Sequence, residues 1–265
     1  MMKKLVLTAV ISALSLNAAY AYQVELNGNV GYGQVSTSGD DINTTGLGVN
    51  ATYYFKNVTG NNVPLAEGAF SDRASNVSAG YGYSDSTLSG APDVRVHDFN
   101  IAGEFYVPNS DFYASAGLNR PKIEGVASNA GAYTLEVGYL PITNLLVAVG
   151  VADTFNTSHN ETDPTIRAKY LTQLNSNFVN LEGGAQFGDH HDSYHLKGDY
   201  YLDRTFSIGA TYDLTTYDHL DNTYAIGVNA RKFVASNISV QGGVSAGQYL
   251  GNNDFNVTVG GTYRF

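Results

Sequence analysis

The stretch "NNDFNVTVGGTYRF", residues Asn252 to Phe265, decides the fold because its side chains alternate strictly in character. One face would carry Phe255, Val257, Val259, Gly261, Tyr263 and Phe265, and the other Asn256, Thr258, Gly260, Thr262 and Arg264. A period of two predicts a β-strand with one apolar and one polar face. Most domains finish in a frayed polar tail, whereas this stripe continues to an aromatic residue. We therefore expect this strand to be held by pairing with another strand.

The same alternation recurs along the chain after residue 21. Apolar stripes mark about 14 segments, at 22–32, 47–55, 77–83, 99–105, 112–118, 133–139, 145–151, 166–170, 179–187, 194–200, 206–212, 224–230, 238–246 and 252–265. No helical period competes with them, and no change of composition marks a linker. We predict a single all-β domain, residues 22–265, with about 14 antiparallel strands in up-and-down order.

The connections between these segments alternate in length. Short ones fall at 107–111, 141–144, 174–177, 202–205 and 233–236, and mostly longer, more polar ones at 84–93, 119–131, 153–164, 214–222 and 248–254. Short turns on one rim and long loops on the other are typical of bacterial outer-membrane barrels, whose short turns face the periplasm. The first strand then starts from the periplasmic side and the last strand returns to it, which requires an even number of strands.

The first 21 residues carry a different pattern. Lys3 and Lys4 precede an apolar run from Leu5 to Leu16, and the segment finishes in Ala19-Tyr20-Ala21. This order predicts a cleaved secretory signal peptide; the alternative is a buried N-terminal helix. The apolar run is too short to cross a bilayer as a helix.

Composition excludes several classes of protein. Loss of the two lysines with the signal peptide takes the formal charge from −10 to about −12, which argues against a nucleic-acid partner. The chain has no cysteine, so it is neither a disulfide scaffold nor a thiol enzyme. No apolar stretch of about 20 residues exists, which excludes a helical membrane protein but not a membrane β-barrel.

Alternation alone does not tell whether the apolar faces point into a soluble barrel or out toward lipid. Aromatic residues cluster at both ends of the apolar faces and small aliphatic residues fill the middle, as expected for two aromatic girdles at the membrane surfaces. A sheet in lipid cannot keep a free edge, so it must close. We predict a transmembrane antiparallel β-barrel in the Gram-negative outer membrane, in contact with its lipids and lipopolysaccharide.

The stretch from Thr52 to Tyr83 points to a family. It contains "YYFKNV", "PLAEGAF" and "ASNV", and it follows the short opening strand "YQVELNG" at residues 22–28. Over about 60 residues this pattern resembles the putative general bacterial porin family, the small outer-membrane porins of the Acinetobacter and Moraxella type. The resemblance implies a barrel of about 14 strands, monomeric or weakly associated, with a channel for small polar solutes. A terminal aromatic with Tyr263 two residues before Phe265 also resembles the signal that the barrel-assembly machinery recognises.

Polar side chains on the lumen face would carry the function. By parity the charged ones are Glu25, Lys56, Asp98, Glu104, Glu136, Arg167, Lys169, Glu182, Lys197, Asp199, Asp213, Arg231 and Arg264. Facing basic and acidic rows would set up a field across the pore and tune ion selectivity. Alternatively, the charges pair and fill the lumen. About 14 strands predict a narrow lumen, because eight are filled by side chains and 16 leave a water channel.

One connection on the short-turn rim is too long for a turn. Residues 57–73 contain an apolar "PLAEGAF" centre, and we interpret Pro64, Leu65, Glu67 and Phe70 as a candidate constriction that folds into the barrel mouth. The alternative is a periplasmic cap outside the lumen.

The segment "GDHHDSYH", Gly188 to His195, gathers three histidines and two aspartates. Ser193 and His195 share a face, so a hydrolase or a zinc site could be imagined, but the spacing matches no known closed site. We interpret the segment as a solvated outer loop and assign no catalytic, cofactor or metal residue.

The functional prediction is a passive channel for ions and small hydrophilic solutes, with a mild cation preference from the acidic charge. The alternative is a largely closed outer-membrane barrel that acts in adhesion or host interaction. An outer-membrane enzyme would need a convergent nucleophile and base.

Overall fold

The computed structural model describes residues 21–127, 129–156 and 162–265. Most of the predicted signal peptide, residues 1–20, lies outside this range, as do residue 128 and residues 157–161 of two predicted loops. Among the described residues there is no helix that is long and apolar enough to cross a membrane.

Fourteen antiparallel strands form one closed barrel, in which each strand pairs with its neighbours in sequence. They are β1 (Tyr22–Ser36), β2 (Asp41–Val58), β3 (Asn76–Leu88), β4 (Val94–Tyr106), β5 (Phe112–Ile123), β6 (Gly131–Ile142), β7 (Leu145–Phe155), β8 (Thr162–Leu174), β9 (Asn177–Phe187), β10 (His191–Asp203), β11 (Phe206–Tyr217), β12 (Thr223–Ala235), β13 (Ile238–Tyr249) and β14 (Asn252–Arg264). The up-and-down order and the predicted number of strands are confirmed.

The last strand closes the barrel against the first. The register of β14 on β1 pairs Val259 with Val30 and Arg264 with Glu25. The backbone of Phe265 continues this seam, since its N–H donates to Val24 O at 3.0 Å and its carbonyl accepts from Val24 N at 2.8 Å. No edge is left to fray, which explains the apolar stripe that runs through Asn252–Phe265.

The apolar faces of the strands point outward. Val30, Val137 and Val259 are 60%, 64% and 58% exposed, while the polar residues Asn180 and Asp199 on the opposite face are 0% and 5% exposed. A soluble barrel would show the reverse distribution. The predicted membrane orientation is therefore confirmed, with lipid around the barrel and polar side chains in its lumen.

The two rims differ less in loop length than the sequence predicts. On the short-turn rim, the turns at 143–144, 175–176, 204–205 and 236–237 have two residues each. We call the opposite rim the loop rim. There the strands continue past the apolar stripe, because the strands of a hairpin in water can carry polar residues on both faces. The prediction of a long loop at 248–254 is wrong: only Leu250 and Gly251 connect β13 to β14, with φ of 47° and 80°, a turn of the kind that closes tight hairpins.

Residues 57–73, here the inner segment, leave β2 on the short-turn rim and contain the helical turns of the structure. A 3-10 turn, Leu65–Glu67, leads into the short helix α1, Gly68–Ser71. The segment then returns to the wall, where β3 begins at Asn76.

Candidate functional site

The inner segment folds on itself before it meets the barrel wall. The carboxylate of Asp72 accepts hydrogen bonds from the backbone N–H groups of Thr59 and Gly60, at 2.6 and 3.0 Å, and from the Thr59 hydroxyl. Gly60 and Gly68 touch, since a Cβ atom at Gly60 (φ 54°) would lie 3.0 Å from the Cα of Gly68. The residues between these two glycines therefore form a loop with a closed neck.

The apolar side of this loop packs into the short-turn end of the lumen. Val63 and Phe70 form a buried cluster with lumen-facing residues of six strands: Tyr106, Tyr113, Leu140, Leu146, Leu171 and Tyr201. Burial of two such side chains from an aqueous lumen contributes about 3–6 kcal/mol. The structure places Pro64, Leu65, Glu67 and Phe70 inside the barrel rather than in a cap below it.

Two arginines of the barrel hold the loop by its backbone. Arg204, in the turn between β10 and β11, donates to the carbonyls of Val63 and Gly60, each at 2.9 Å. Arg264 of β14 donates to the Leu65 carbonyl at 2.8 Å. Strand β14 lies across the barrel from β5–β8, so the inner segment crosses the lumen.

Glu67 joins the inner segment to a charged cluster on the wall. Its carboxylate lies 2.9 Å from Lys169 Nζ and accepts a hydrogen bond from the Tyr201 hydroxyl at 2.6 Å. Lys169 also pairs with Glu182 at 3.1 Å, and Lys197 links Glu182 to Asp199 at 3.6 and 3.1 Å. Three carboxylates and two ammonium groups leave this cluster, here the wall cluster, with a formal charge of −1. The three carboxylates lie close enough together to hold a metal ion, but the two lysines already occupy the space between them.

A second network stands on the β4–β8 wall. Arg167 pairs with Glu136 at 2.6 Å and donates to the Tyr113 hydroxyl at 3.1 Å. That hydroxyl in turn donates to Glu104 at 2.6 Å. The network satisfies both carboxylates within the wall and projects little free charge into the lumen.

Four more of the predicted charges lie in the short-turn half of the barrel: Glu25, Lys56, Arg231 and Arg264. Arg264 pairs with Glu25 at 2.6 Å and stacks between the rings of Tyr22 and Phe233, while Lys56 donates to the carbonyl of Asp72. Arg231 differs, because its only hydrogen-bond partner within the described residues is Gln241, at 2.7 Å. Pairing thus accounts for most of the central charges, and Arg231 stands apart from the carboxylates.

A polar cavity of about 300 Å³ remains beside the inner segment. Its walls come from β1 and β10–β14, and Ala66 and Glu67 of the inner segment complete its lining. Glycines make room for long polar side chains along this wall: a Cβ atom at Gly209 would overlap Asp199 Oδ1, and one at Gly260 would lie 3.2 Å from Gln241 Nε2. The inner segment therefore fills one side of the lumen, and a polar cavity lies on the other side.

Comparison with known proteins identifies this architecture. The family model described as "Putative general bacterial porin" matches residues 2–163, more than half of the chain. The chain belongs to this porin family. No curated protein sequence matches it. The family and the barrel indicate a channel of the Gram-negative outer membrane rather than an enzyme.

Solved structures support the fold of the porin. The crystal structure of the Acinetobacter baumannii outer membrane protein Omp33 is 24% identical, with a TM-score of 0.71, over 94% of this chain and 100% of that one. The CymD monoaromatic hydrocarbon channel is 7% identical, with a TM-score of 0.61 over 92% and 89% of the two chains. The P. putida toluene transporter TodX is 10% identical, with a TM-score of 0.53 over 94% and 91% of the two chains. At these identities the likeness concerns the fold alone.

The part of the porin lumen nearest the loop rim, here the vestibule, is acidic. Its lumen face there carries four aspartates, whose hydrogen-bond or ion-pair partners are amide or histidine side chains: Asp98 with Asn119, Asp163 with Gln186, Asp213 with His195, and Asp254 with Asn256. In the described part of the chain, none of the four is paired with lysine or arginine. Parity predicts Asp98 and Asp213 for the lumen. Asp163 and Asp254 were missed because they fall in the predicted loops 153–164 and 248–254, although they keep the parity of Arg167 and Asn256.

The histidine-rich segment of the porin belongs to the loop rim. Gly188–His190 form the turn, and β10 begins at His191. The hydroxyl of Ser193 lies 3.1 Å from that of Thr215, while His195 Nδ1 lies 2.6 Å from Asp213. Ser193 and His195 thus have different partners, and the arrangement is not that of a nucleophile beside its base.

Proposed function

We propose that the porin conducts ions and small hydrophilic solutes passively along the cavity beside the inner segment, without a cofactor or a catalytic step. The observation that carries this proposal is the division of the lumen. The apolar side of the inner segment packs against β4–β8 and against Tyr201 of β10. Polar side chains of β10–β14 and β1, with glycines behind them, line the cavity on the other side. Such a path would be narrow and polar, which favours small hydrated solutes.

We propose further that Pro64, Leu65, Glu67 and Phe70 act as the constriction and that the charges of the lumen wall line the path. The inner segment is held by packing, by Arg204 and Arg264 and by the wall cluster. The four vestibule aspartates would concentrate cations at the entrance, so the path should prefer cations. We expect the porin to act as a monomer surrounded by outer-membrane lipids and lipopolysaccharide.

The closed neck of the inner segment allows a clean test. Because Gly60 and Gly68 are already in contact, deletion of residues 61–67 can join them with little displacement of the wall. The deletion removes Val63, Pro64, Leu65 and Glu67, while Lys169 keeps Glu182 as its partner. We expect single-channel conductance in planar bilayers to rise at least about twofold, since a 14-strand lumen without a filling segment is wider.

Wild-type conductance separates this proposal from the alternative of a closed barrel in adhesion. The alternative is favoured by the burial of Val58 (0% exposed) and Val63 (7%) at the short-turn end. A heat-dependent shift of electrophoretic mobility would establish that the wild-type protein and the deletion variant are both folded. A wild-type protein that does not conduct would support the closed barrel, and a deletion variant with unchanged conductance would refute the constriction.

A further inference from the structure

The cavity beside the inner segment has charges of opposite sign on its two sides. On one side the wall cluster contributes Glu67, Lys197 and Asp199 to the lining, and its three carboxylates outnumber its two lysines by one charge. On the other side is Arg231, which has no carboxylate partner in the part of the chain that the structure describes. Strand β11 separates Asp199 on β10 from Arg231 on β12, and Asp199 is level with Asn229, two residues before Arg231. The backbones of the two charged residues are therefore roughly 11–12 Å apart across the sheet.

The side chains of Asp199 and Arg231 both keep polar atoms that can bind a ligand. The Oδ2 atom of Asp199 faces Lys197 at 3.1 Å and Asn180 at 3.3 Å, whereas its Oδ1 atom lies over Gly209. Arg231 uses its Nε for Gln241, and no described side chain accepts a hydrogen bond from its terminal nitrogens. A guanidinium with free terminal nitrogens is suited to a carboxylate, which it can hold through two parallel hydrogen bonds.

Neutral polar groups fill the space between the two charges. Asn27, Asn29, Asn229 and Ser207 line the cavity together with Gln241. They can donate to or accept from a small solute or its water molecules without adding charge. The cavity of about 300 Å³ is large enough for a molecule of a few heavy atoms with part of its hydration.

We propose that this cavity is a binding subsite for small zwitterionic solutes of the amino-acid type. The carboxylate of the solute would face Arg231, and its ammonium group would face the Oδ1 atom of Asp199. A zwitterion compensates both sides of the cavity at once, whereas a simple cation or anion compensates one and is repelled by the other. This inference rests on the proposed channel function, because the solute must reach the cavity through the vestibule.

Three solutes of nearly equal size test the inference: alanine as the zwitterion, lactamide as the neutral molecule and lactate as the anion. Swelling of liposomes that contain the full-length porin measures their entry. We expect alanine to enter about fivefold faster than lactamide, the effect of roughly one favourable charge contact. In bilayers, alanine should also reduce the potassium current in a concentration-dependent manner.

Arg231→Gln should abolish the advantage of alanine over lactamide and its block of the current. Arg231→Lys should restore part of both, since it keeps the charge but not the paired hydrogen bonds. The matched control is Lys232→Gln, which removes the same charge from the adjacent residue on the lipid-facing side, where Lys232 contacts Thr205 and Phe206. This control should behave like the wild type.

The outcomes separate this inference from the channel function. A wild-type porin that conducts potassium but admits alanine no faster than lactamide would overturn the zwitterion subsite and leave the channel intact. An alanine preference that survives in Arg231→Gln would also overturn it. A porin that does not conduct at all would contradict the channel function itself.

Discussion

The contacts of Arg167 illustrate how charges in the lumen depend on one another. It bridges Glu136, at 2.6 Å, and the Tyr113 hydroxyl, at 3.1 Å, and the Ser115 hydroxyl donates to the same Glu136 carboxylate at 2.8 Å. Only 15% of the Glu136 side chain is exposed. Loss of either charged partner would leave the charge of the other poorly compensated. This loss costs more free energy of folding than the intact pair contributes.

A double-mutant cycle tests this dependence. We expect Arg167→Gln and Glu136→Gln each to lower the free energy of unfolding by about 1–3 kcal/mol. The double variant should lose clearly less than the sum, because no charge is then left without a partner. Urea unfolding of the protein in lipid vesicles measures all three values. Additive losses would show that the two side chains act independently.

Sequence parity predicts on which face a side chain lies, but not with which partner it pairs. Arg167 and Lys169 were placed in the lumen because a strand alternates with a period of two. That Lys169 binds Glu67 could not be predicted, since Glu67 lies outside the sheet register and reaches β8 only through the fold of the inner segment. Arg204, which holds that segment, was missed because it lies in a turn.

Among the elements, the strands were predictable and their ends were not. The apolar stripe marks the part of each strand that meets lipid, so every strand was found. Beyond the membrane the stripe stops although pairing continues, as in the hairpin at Leu250 and Gly251. The sequence therefore indicates the thickness of the apolar belt better than the length of the strands.

At the seam between β14 and β1, side-chain recognition of the terminal aromatic pair can be tested separately from backbone pairing of the two strands. We propose that the assembly machinery recognises Tyr263 and Phe265, whose rings lie 5.6 Å apart. Phe265→Ala keeps the backbone hydrogen bonds to Gln23 and Val24. It should reduce the amount of folded barrel in the outer membrane of a Gram-negative host while changing the stability of refolded protein by less than about 1 kcal/mol.

Two further variants complete this test. Deletion of Phe265 removes three backbone hydrogen bonds, so it should lower both the yield and the stability in urea. Phe255→Ala, on the same face of β14 at the other rim, is the control and should assemble normally. Equal yields of Phe265→Ala and wild-type protein would exclude recognition of this ring.

The complete barrel is electrically asymmetric along its axis. Near the loop rim the lumen face carries aspartates bound to amides and histidines, whereas toward the short-turn rim most acidic groups are paired with lysine or arginine, and Glu104 is bound by Tyr113 and Asn76. A solute entering from the loop rim would meet an acidic vestibule first and the cavity of opposed charges second. The vestibule would thus select by charge at the entrance, and the cavity by the shape and dipole of the solute.

Ion selectivity tests the role of the vestibule aspartates, because salt screens their charges and should therefore weaken the selectivity. We expect the reversal potential in a potassium chloride gradient to favour potassium, and more strongly at low salt, since the screening length falls from about 10 Å at 0.1 M to about 3 Å at 1 M. Asp98→Asn combined with Asp254→Asn should weaken this preference. The control is Asp153→Asn combined with Asp192→Asn, which removes two charges from the lipid-facing side at the same rim and should leave the reversal potential unchanged. A preference for chloride in the wild type, or an equal effect of both double variants, would contradict a selective vestibule.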